Sequence, residues 1–233
     1  MTEPTTTRRA APSDTVEGIL SARHSCRAFR STAVPRSDIE RMLSLAQLTP
    51  SWCNCQPWQV HVLSGEATER LASALRAGAQ RGERQPDLDP PREYLGIYRE
   101  RRRESGYALY NSLEIRRQDH RRRAEQHLEN LRFFGAPHVA IITTDQQLGT
   151  YGAVDCGAYV ATLLLAAHSL GIATVPQAAI AMASGTVREQ LAIPTDRRIV
   201  CAVSFGYEDE THPANSFRTS RAHLNEVVQW IDR

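Results

Sequence analysis

Apolar residues recur along this chain with two periods, near 3.6 and near 2, and the switches between them lay out its elements. From Asp14, placed as a helix N-cap, Val16, Ile19 and Leu20 predict a short amphipathic helix that delivers Arg23 to Arg27 at its end. Val34-Pro35-Arg36-Ser37 opens a second helix with Ile39, Met42, Leu43 and Ala46 on one face; it stops before Pro50, because a proline disfavours helix at the preceding residue. Gln59-Val60-His61-Val62-Leu63 reads as a strand ended by Ser64-Gly65, and Glu66 to Ala79 as a helix with Leu71 and Leu75 on its inner face.

The second half follows the same logic. Residues 81–91, rich in Pro, Gly and charge, predict a loop, and 92–132 a strongly charged helical stretch that turns apolar at Leu128, Leu131, Phe133 and Phe134. His138 to Thr143 is a buried strand, and Asp155 to Leu170 the most apolar helix, capped by Gly171. Thr174-Val175-Pro176-Gln177 is a strand end and turn, followed by a helix at Gly185 to Leu191 and a last strand at Ile199 to Phe205. Strands separated by several helices, without strict β-α-β alternation and without G-x-G-x-x-G, predict an α+β fold. Residues 1–13 are polar and Pro/Thr-rich and read as a disordered tail, which leaves 14–233 as the domain.

Composition narrows the function classes. The 233 residues suffice for one large domain, and a net charge of +2 gives no reason to expect nucleic acid or a membrane surface as partner. No stretch approaches 18 uninterrupted apolar residues, so no membrane span is predicted. All 28 basic residues are arginine, which excludes chemistry that needs an amine side chain: Schiff bases, PLP anchoring and the P-loop lysine. The five cysteines lack disulfide-framework spacing, and the cytoplasm is the expected compartment.

Two motifs carry the candidate chemistry. Arg23-His24-Ser25-Cys26-Arg27 concentrates guanidiniums, an imidazole and a hydroxyl within about one helical turn, a set suited to an anion because arginine offers a fixed fork of donors. Pro50-Ser51-Trp52-Cys53-Asn54-Cys55-Gln56-Pro57-Trp58 is a polar loop able to line the edge of a planar heterocycle. Together they resemble the flavin signature of the nitroreductase family, and the resemblance extends over roughly residues 14–231.

That resemblance implies a mixed central β-sheet flanked by helices, in an intertwined homodimer with FMN at the interface. It implies that Arg23 and Ser25, with His24 alongside, hold the FMN phosphate, and that Arg27 reaches the N1/C2=O edge, where charge accumulates on reduction. Pro50, Ser51, Asn54 and Gln56 correspond to contacts made from the other subunit. Pro176-Gln177-Ala178 matches the segment near flavin N5, with Ala178 as the expected N5 donor. Arg218 and Arg221 resemble a C-terminal basic pair at the phosphate, Arg221 the better match. The charged insertion, about 86–132, would be a helical lid; Tyr94, Tyr98 and Phe134, with Tyr107 and Tyr110, are candidate substrate residues, as is Trp52, and Asn111 or Arg117 could meet a carboxylate.

The implied activity is reduction of nitroaromatic or quinone-like acceptors by NADH or NADPH, in ping-pong fashion through flavin N5, with no protein catalytic acid or base. The alternatives are reductive dehalogenation of halophenols, flavin cleavage, or a non-catalytic flavin-binding protein. Cys53-x-Cys55 near His61 lacks the further ligands of a metal site, so no metal is expected. The arginine runs at 99–103 and 116–123 alternate with glutamates and read as a solvated, salt-bridged face rather than a nucleic-acid surface.

Overall fold

The apolar run Val139-Ala140-Ile141-Ile142 forms the centre of strand β2 (His138–Asp145), which is buried almost throughout, and this strand organises the fold. A computed structural model describes residues 12–232. Strand β2 pairs with β1 (Gln59–Ser64) on one side and β4 (Arg197–Gly206) on the other, and β3 (Ala173–Gln177) closes the far edge in the order β1-β2-β4-β3. All these strand pairings are antiparallel; the parallel component is the bridge Ser25–Thr174, by which the N-terminal motif joins the edge of β3. An edge position is also what lets β3 accommodate Pro176, which has no N–H to donate.

Alternation along the strands divides the core between the two faces of the sheet. Ala140, Ile142, Val203 and Phe205 meet helix α2 (Arg36–Ala46) and the long helix α6 (Gly149–Ser169) through Met42, Tyr159 and Leu163. Val139, Ile141, Ile199 and Ala202 meet the other layer, α3 (Glu66–Gln80), α7 (Ala178–Ala181) and α8 (Ser184–Leu191), through Leu71, Leu75, Ile180 and Val187. The remaining helices are α1 (Pro12–Ala22), α4 (Gly96–Ser112), α5 (His120–Leu128) and the single turn α9 (Leu224–Val227).

Several expectations change. Of the tail, residues 1–11 lie outside the described residues, whereas Pro12 and Ser13 already belong to α1. That helix ends at Ala22, so Arg23–Arg27 form an extended segment, held to β3 by the Cys26 N–H on the Thr174 carbonyl at 3.0 Å. The charged stretch is two helices, broken at Glu114 (φ 53°) and restarted by Asp119, whose carboxylate accepts the Arg122 N–H at 3.0 Å. Helix α6 begins at Gly149, six residues before Asp155, which therefore lies inside the helix.

By length and composition alone the segment Gln146–Ser169 is apolar enough to cross a membrane, with a mean hydropathy of 1.3 over an 18-residue window, although it holds no unbroken apolar run of that length. In the fold its inner face, from Gly152 to Ala167, packs on α2 and the sheet as the central helix of the core. The predicted Gly171 cap is present: Gly171 has φ +72°, and Ile172 N–H returns to the Ala167 carbonyl at 2.9 Å.

Candidate functional site

Extended backbone at 23–27 does what a helical turn would not: it places Arg23, Ser25 and Arg27 on one side and Cys26, fully buried, on the other. These three line a cavity of about 240 Å³ together with His24, Arg218 and Arg221, and no carboxylate is among its lining residues. Arg23 Nη1 is buried there without a hydrogen-bond partner. Burial, and after it the charge of Arg221, lowers the Arg23 pKa, and burial does the same to Arg27. Guanidiniums nonetheless remain charged, so the cradle is a set of converging cations with donors to spare. An FMN phosphate fits that donor set, because a dianion would satisfy the orphaned Nη1 and offset the mutual repulsion.

Local contacts hold the cradle open. His24 turns its Nε2 to Glu208, 2.9 Å away, rather than to the other cations. Arg218 donates to the carbonyls of Asn215 and Phe217 at 2.8 and 2.9 Å, and Arg221 to Thr219 Oγ1 and the Ser220 carbonyl at 2.9 and 2.8 Å. Asn215, buried, accepts the Arg27 N–H at 2.7 Å and donates to the carbonyls of Ala28 and Asp209, both at 2.9 Å. One amide thereby locks the N-terminal motif to the C-terminal segment that bears the basic pair.

Arg27 also lines a second cavity, of about 550 Å³, between the sheet edge and the insertion. Its lining includes Val175, Pro176 and Phe134, the rings of Tyr107 and Tyr110, and Arg102, Arg103, Arg117 and Arg123. Pro176 and Ala178 are exposed, whereas the Gln177 side chain turns inward: its Oε1 accepts from Ser204 Oγ and its Nε2 donates to the Asn130 carbonyl at 2.9 Å. Gln177 thus ties the stem of the insertion to β3 instead of presenting its amide to a ligand. Of the predicted substrate residues, Phe134 lines this cavity, Tyr94 lies beneath Arg102 at 5.2 Å, and Tyr98 is exposed and does not line it. Asn111 is likewise outside it, and Arg117 inside.

The loop after Pro50 lines neither cavity. Cys53, Asn54 and Gln56 adopt left-handed φ of 50°, 55° and 46°, a strained run for residues with a Cβ. Fixed contacts hold it: Trp52 N–H donates to Asp155, Cys55 Sγ lies 3.7 Å from the same carboxylate, and Arg197 donates to the Pro57 carbonyl at 3.0 Å. Ser51 Oγ accepts the Gln56 N–H at 2.9 Å, and Gln47 joins the Gln56 and Trp58 side chains at 2.8 and 3.0 Å. Trp52 is exposed and meets the Tyr151 ring edge-on at 4.5 Å. Pro50, Asn54 and Gln56 are exposed to solvent.

A family model described as the nitroreductase family matches residues 20–207. The chain belongs to the nitroreductase family. It is 39% identical over 216 residues to nitroreductase NfnB of Mycolicibacterium smegmatis, covering 92% of each chain. It is 34% identical to a 4-nitrobenzoate reductase of Pseudomonas putida, over 89% of this chain and 92% of the other. The crystal structure of the FMN-dependent nitroreductase NfnB from Mycobacterium smegmatis in complex with NADPH superposes with a TM-score of 0.91 at 35% identity, over 95% of this chain and all of that one. The α+β fold expected from the order of strands and helices is thus the nitroreductase fold that the two motifs resemble.

Sequence reasoning missed Asn215, Asp155, Glu208 and Asn130, which hold the cradle, the loop after Pro50 and the stem of the insertion without a motif of their own. Only burial or a partner far along the chain marks each of them. The arginine runs were read as a salt-bridged face, and half of that holds. Arg101 pairs with Glu226 and Arg121 with Glu125, whereas Arg102, Arg103, Arg117 and Arg123 line the cavity with no ion-pair partner among the described residues.

Proposed function

We propose that this protein is an FMN-dependent NAD(P)H nitroreductase that reduces nitroaromatic acceptors. The observation that carries the reading is the carboxylate-free arginine cradle with its unpartnered buried Arg23 Nη1, set on the fold of an FMN-dependent nitroreductase. Bound FMN supplies a two-electron carrier between nicotinamide and acceptor. The protein's own part is to bind and orient. Arg23, Ser25, Arg218 and Arg221 would hold the phosphate, and Arg27, at the junction of the two cavities, would lie beside the ring. The exposed Pro176 and Ala178 edge of β3 would face the ring system, with Ala178 N–H as the N5 donor.

The loop with Pro50, Ser51, Asn54 and Gln56 would serve the site of a second copy in a homodimer. Its support is twofold: the loop lines neither cavity of its own protomer, and it stands beside an exposed apolar stripe of α6 that includes Tyr151 and Val154. In this reading α4 and α5 form the lid over the acceptor space, and the described thiols, all free, suit the cytoplasm.

Purified protein should be yellow, should release FMN on denaturation, and should be bleached by NADPH or NADH without oxygen, then reoxidised by nitrobenzene. Light scattering should give twice the chain mass. A colourless protein that takes up no FMN in titration overturns the proposal; a monomer that reduces nitrobenzene overturns the role of the loop alone.

A further inference from the structure

The insertion places its arginines selectively. Arg99–Arg103 and Arg116–Arg123 are interleaved with acidic residues in sequence, yet Glu100, Glu104, Glu114, Asp119 and Glu125 all lie outside the lining of the 550 Å³ cavity. Of the arginines outside that lining, Arg101 pairs with Glu226, Arg121 pairs with Glu125, and Arg122 donates to the carbonyls of Leu113 and Glu114 at 3.0 Å each. The four that line the cavity beside Arg27 have no ion-pair partner among the described residues.

Arg123 is the most committed of the inward set. Its Nη1 donates to the Arg117 carbonyl at 3.2 Å, its guanidinium lies over the Tyr110 ring at 4.9 Å, and its Nε is buried without any partner. Neither Arg103 nor Arg117 uses its side chain in a hydrogen bond among the described residues. The same lining includes Phe134, Val175 and Tyr110, whose apolar faces suit an aromatic ring.

Resting on the nitroreductase reading above, we infer that the lid cavity selects acceptors that carry a carboxylate on the aromatic ring, with Arg123 as its anchor and Arg117 and Arg102 completing the oxyanion subsite. The guanidinium fork matches a carboxylate's two oxygens, and a neutral acceptor would leave the buried Arg123 Nε unsatisfied. The nitro group then occupies the other end of the ring, toward Pro176 and the junction with Arg27.

The test uses the oxidised holoenzyme and ligands that cannot be reduced. Benzoate and benzamide are titrated by calorimetry and by the shift of the visible flavin spectrum. Benzoate is expected to bind roughly ten- to a hundredfold more tightly, the range for charge-assisted hydrogen bonds. Arg123→Gln, Arg117→Gln and Arg102→Gln should each reduce that preference, Arg123→Gln abolishing it, while Arg121→Gln, which breaks an outward pair, leaves it unchanged. In turnover the three inward variants should raise the KM for 4-nitrobenzoate by a larger factor than that for nitrobenzene.

Equal binding of benzoate and benzamide by the wild-type protein overturns the inference, as does a preference that survives all three inward substitutions. A loss of adenosine 2′,5′-bisphosphate binding in these variants with benzoate untouched also overturns it, because these arginines then read the nucleotide. Should Arg123→Gln fail to fold, the exposed Arg117 and Arg102 variants and the wild-type comparison still decide. Failure of the function itself would show differently, as protein without FMN or flavin that nicotinamide does not reduce.

Discussion

The carboxylate of Asp155 accepts the backbone N–H of Trp52, its two oxygens 3.2 and 3.3 Å from the nitrogen, across 103 residues of chain. This contact pins a loop whose Cys53, Asn54 and Gln56 sit in left-handed backbone. Asp155→Ala should therefore destabilise the protein by about 1.5–3 kcal/mol, the worth of a hydrogen bond to a charged group. If the loop completes a second copy's site, the same variant should also release FMN faster. Urea unfolding and FMN dissociation rates test the two separately; an unchanged unfolding midpoint would show that the loop holds its shape without this anchor.

Arg23 sets ligand binding against stability. Its buried Nη1 has no partner and Arg221 repels it, so Arg23→Gln should leave the apoprotein as stable as before or more so. The same change should weaken FMN binding by roughly ten- to a hundredfold, because a charge-assisted contact to phosphate is lost. Thermal unfolding with and without FMN reads both signs. An apoprotein weakened as much as the holoprotein would rule out this trade.

Gln177 joins Ser204 on the sheet to Asn130 at the stem of the insertion, and it is buried. Gln177→Leu keeps the volume but leaves the Ser204 hydroxyl and the Asn130 carbonyl without their partner, at a cost of about 1–3 kcal/mol. Hydrogen exchange should accelerate over residues 120–132 more than over the central strands. Uniform exchange across the chain would mean that the tie carries no special load at the insertion.

Acid should weaken the fold through its buried histidines. His138 Nε2 accepts the Val34 N–H at 2.9 Å and its Nδ1 faces Ser64 Oγ at 2.6 Å, an arrangement that requires the neutral ring. Burial lowers the His138 pKa, and burial followed by the charge of Arg197 lowers that of His61. A histidine whose folded pKa lies below its unfolded value stabilises fully above the unfolded value, about 6.5. That contribution is lost as pH falls from there toward the folded pKa, since only the unfolded chain takes up the proton. Unfolding free energy measured from pH 8 to pH 5 should be flat at first and then fall; a rise on acidification would contradict the assignment.

Thiol chemistry should separate the cysteines by burial. Burial is the main cause that pushes Cys26 and Cys201 up to about 12 and Cys156 to about 11. These three should resist alkylation in the native protein at pH 8 and react on unfolding, because the thiolate is the nucleophile. Labelling of Cys26 or Cys156 in folded protein, read by peptide mass, would refute their burial.

Much of this protein is determined by its sequence alone. Period-2 and period-3.6 patterns specify the strands around Val60, Ile141 and Val203 and the helices around Met42 and Leu71, because burial on one face leaves its period in the residues. The motifs at 23–27 and 50–58 specify the chemistry, because few residue types present forked donors to an anion. The tertiary structure decided what those patterns leave open. It drew Arg23, Ser25 and Arg27 onto one side by pairing the segment with β3, where a helical reading would have spread them around a turn. It turned Gln177 inward, and it directed some arginines of the insertion to carboxylates or backbone carbonyls and others to the cavity. Local composition cannot make that last assignment: the two sets have the same side chain and similar neighbours, and they differ only in which distant element lies opposite.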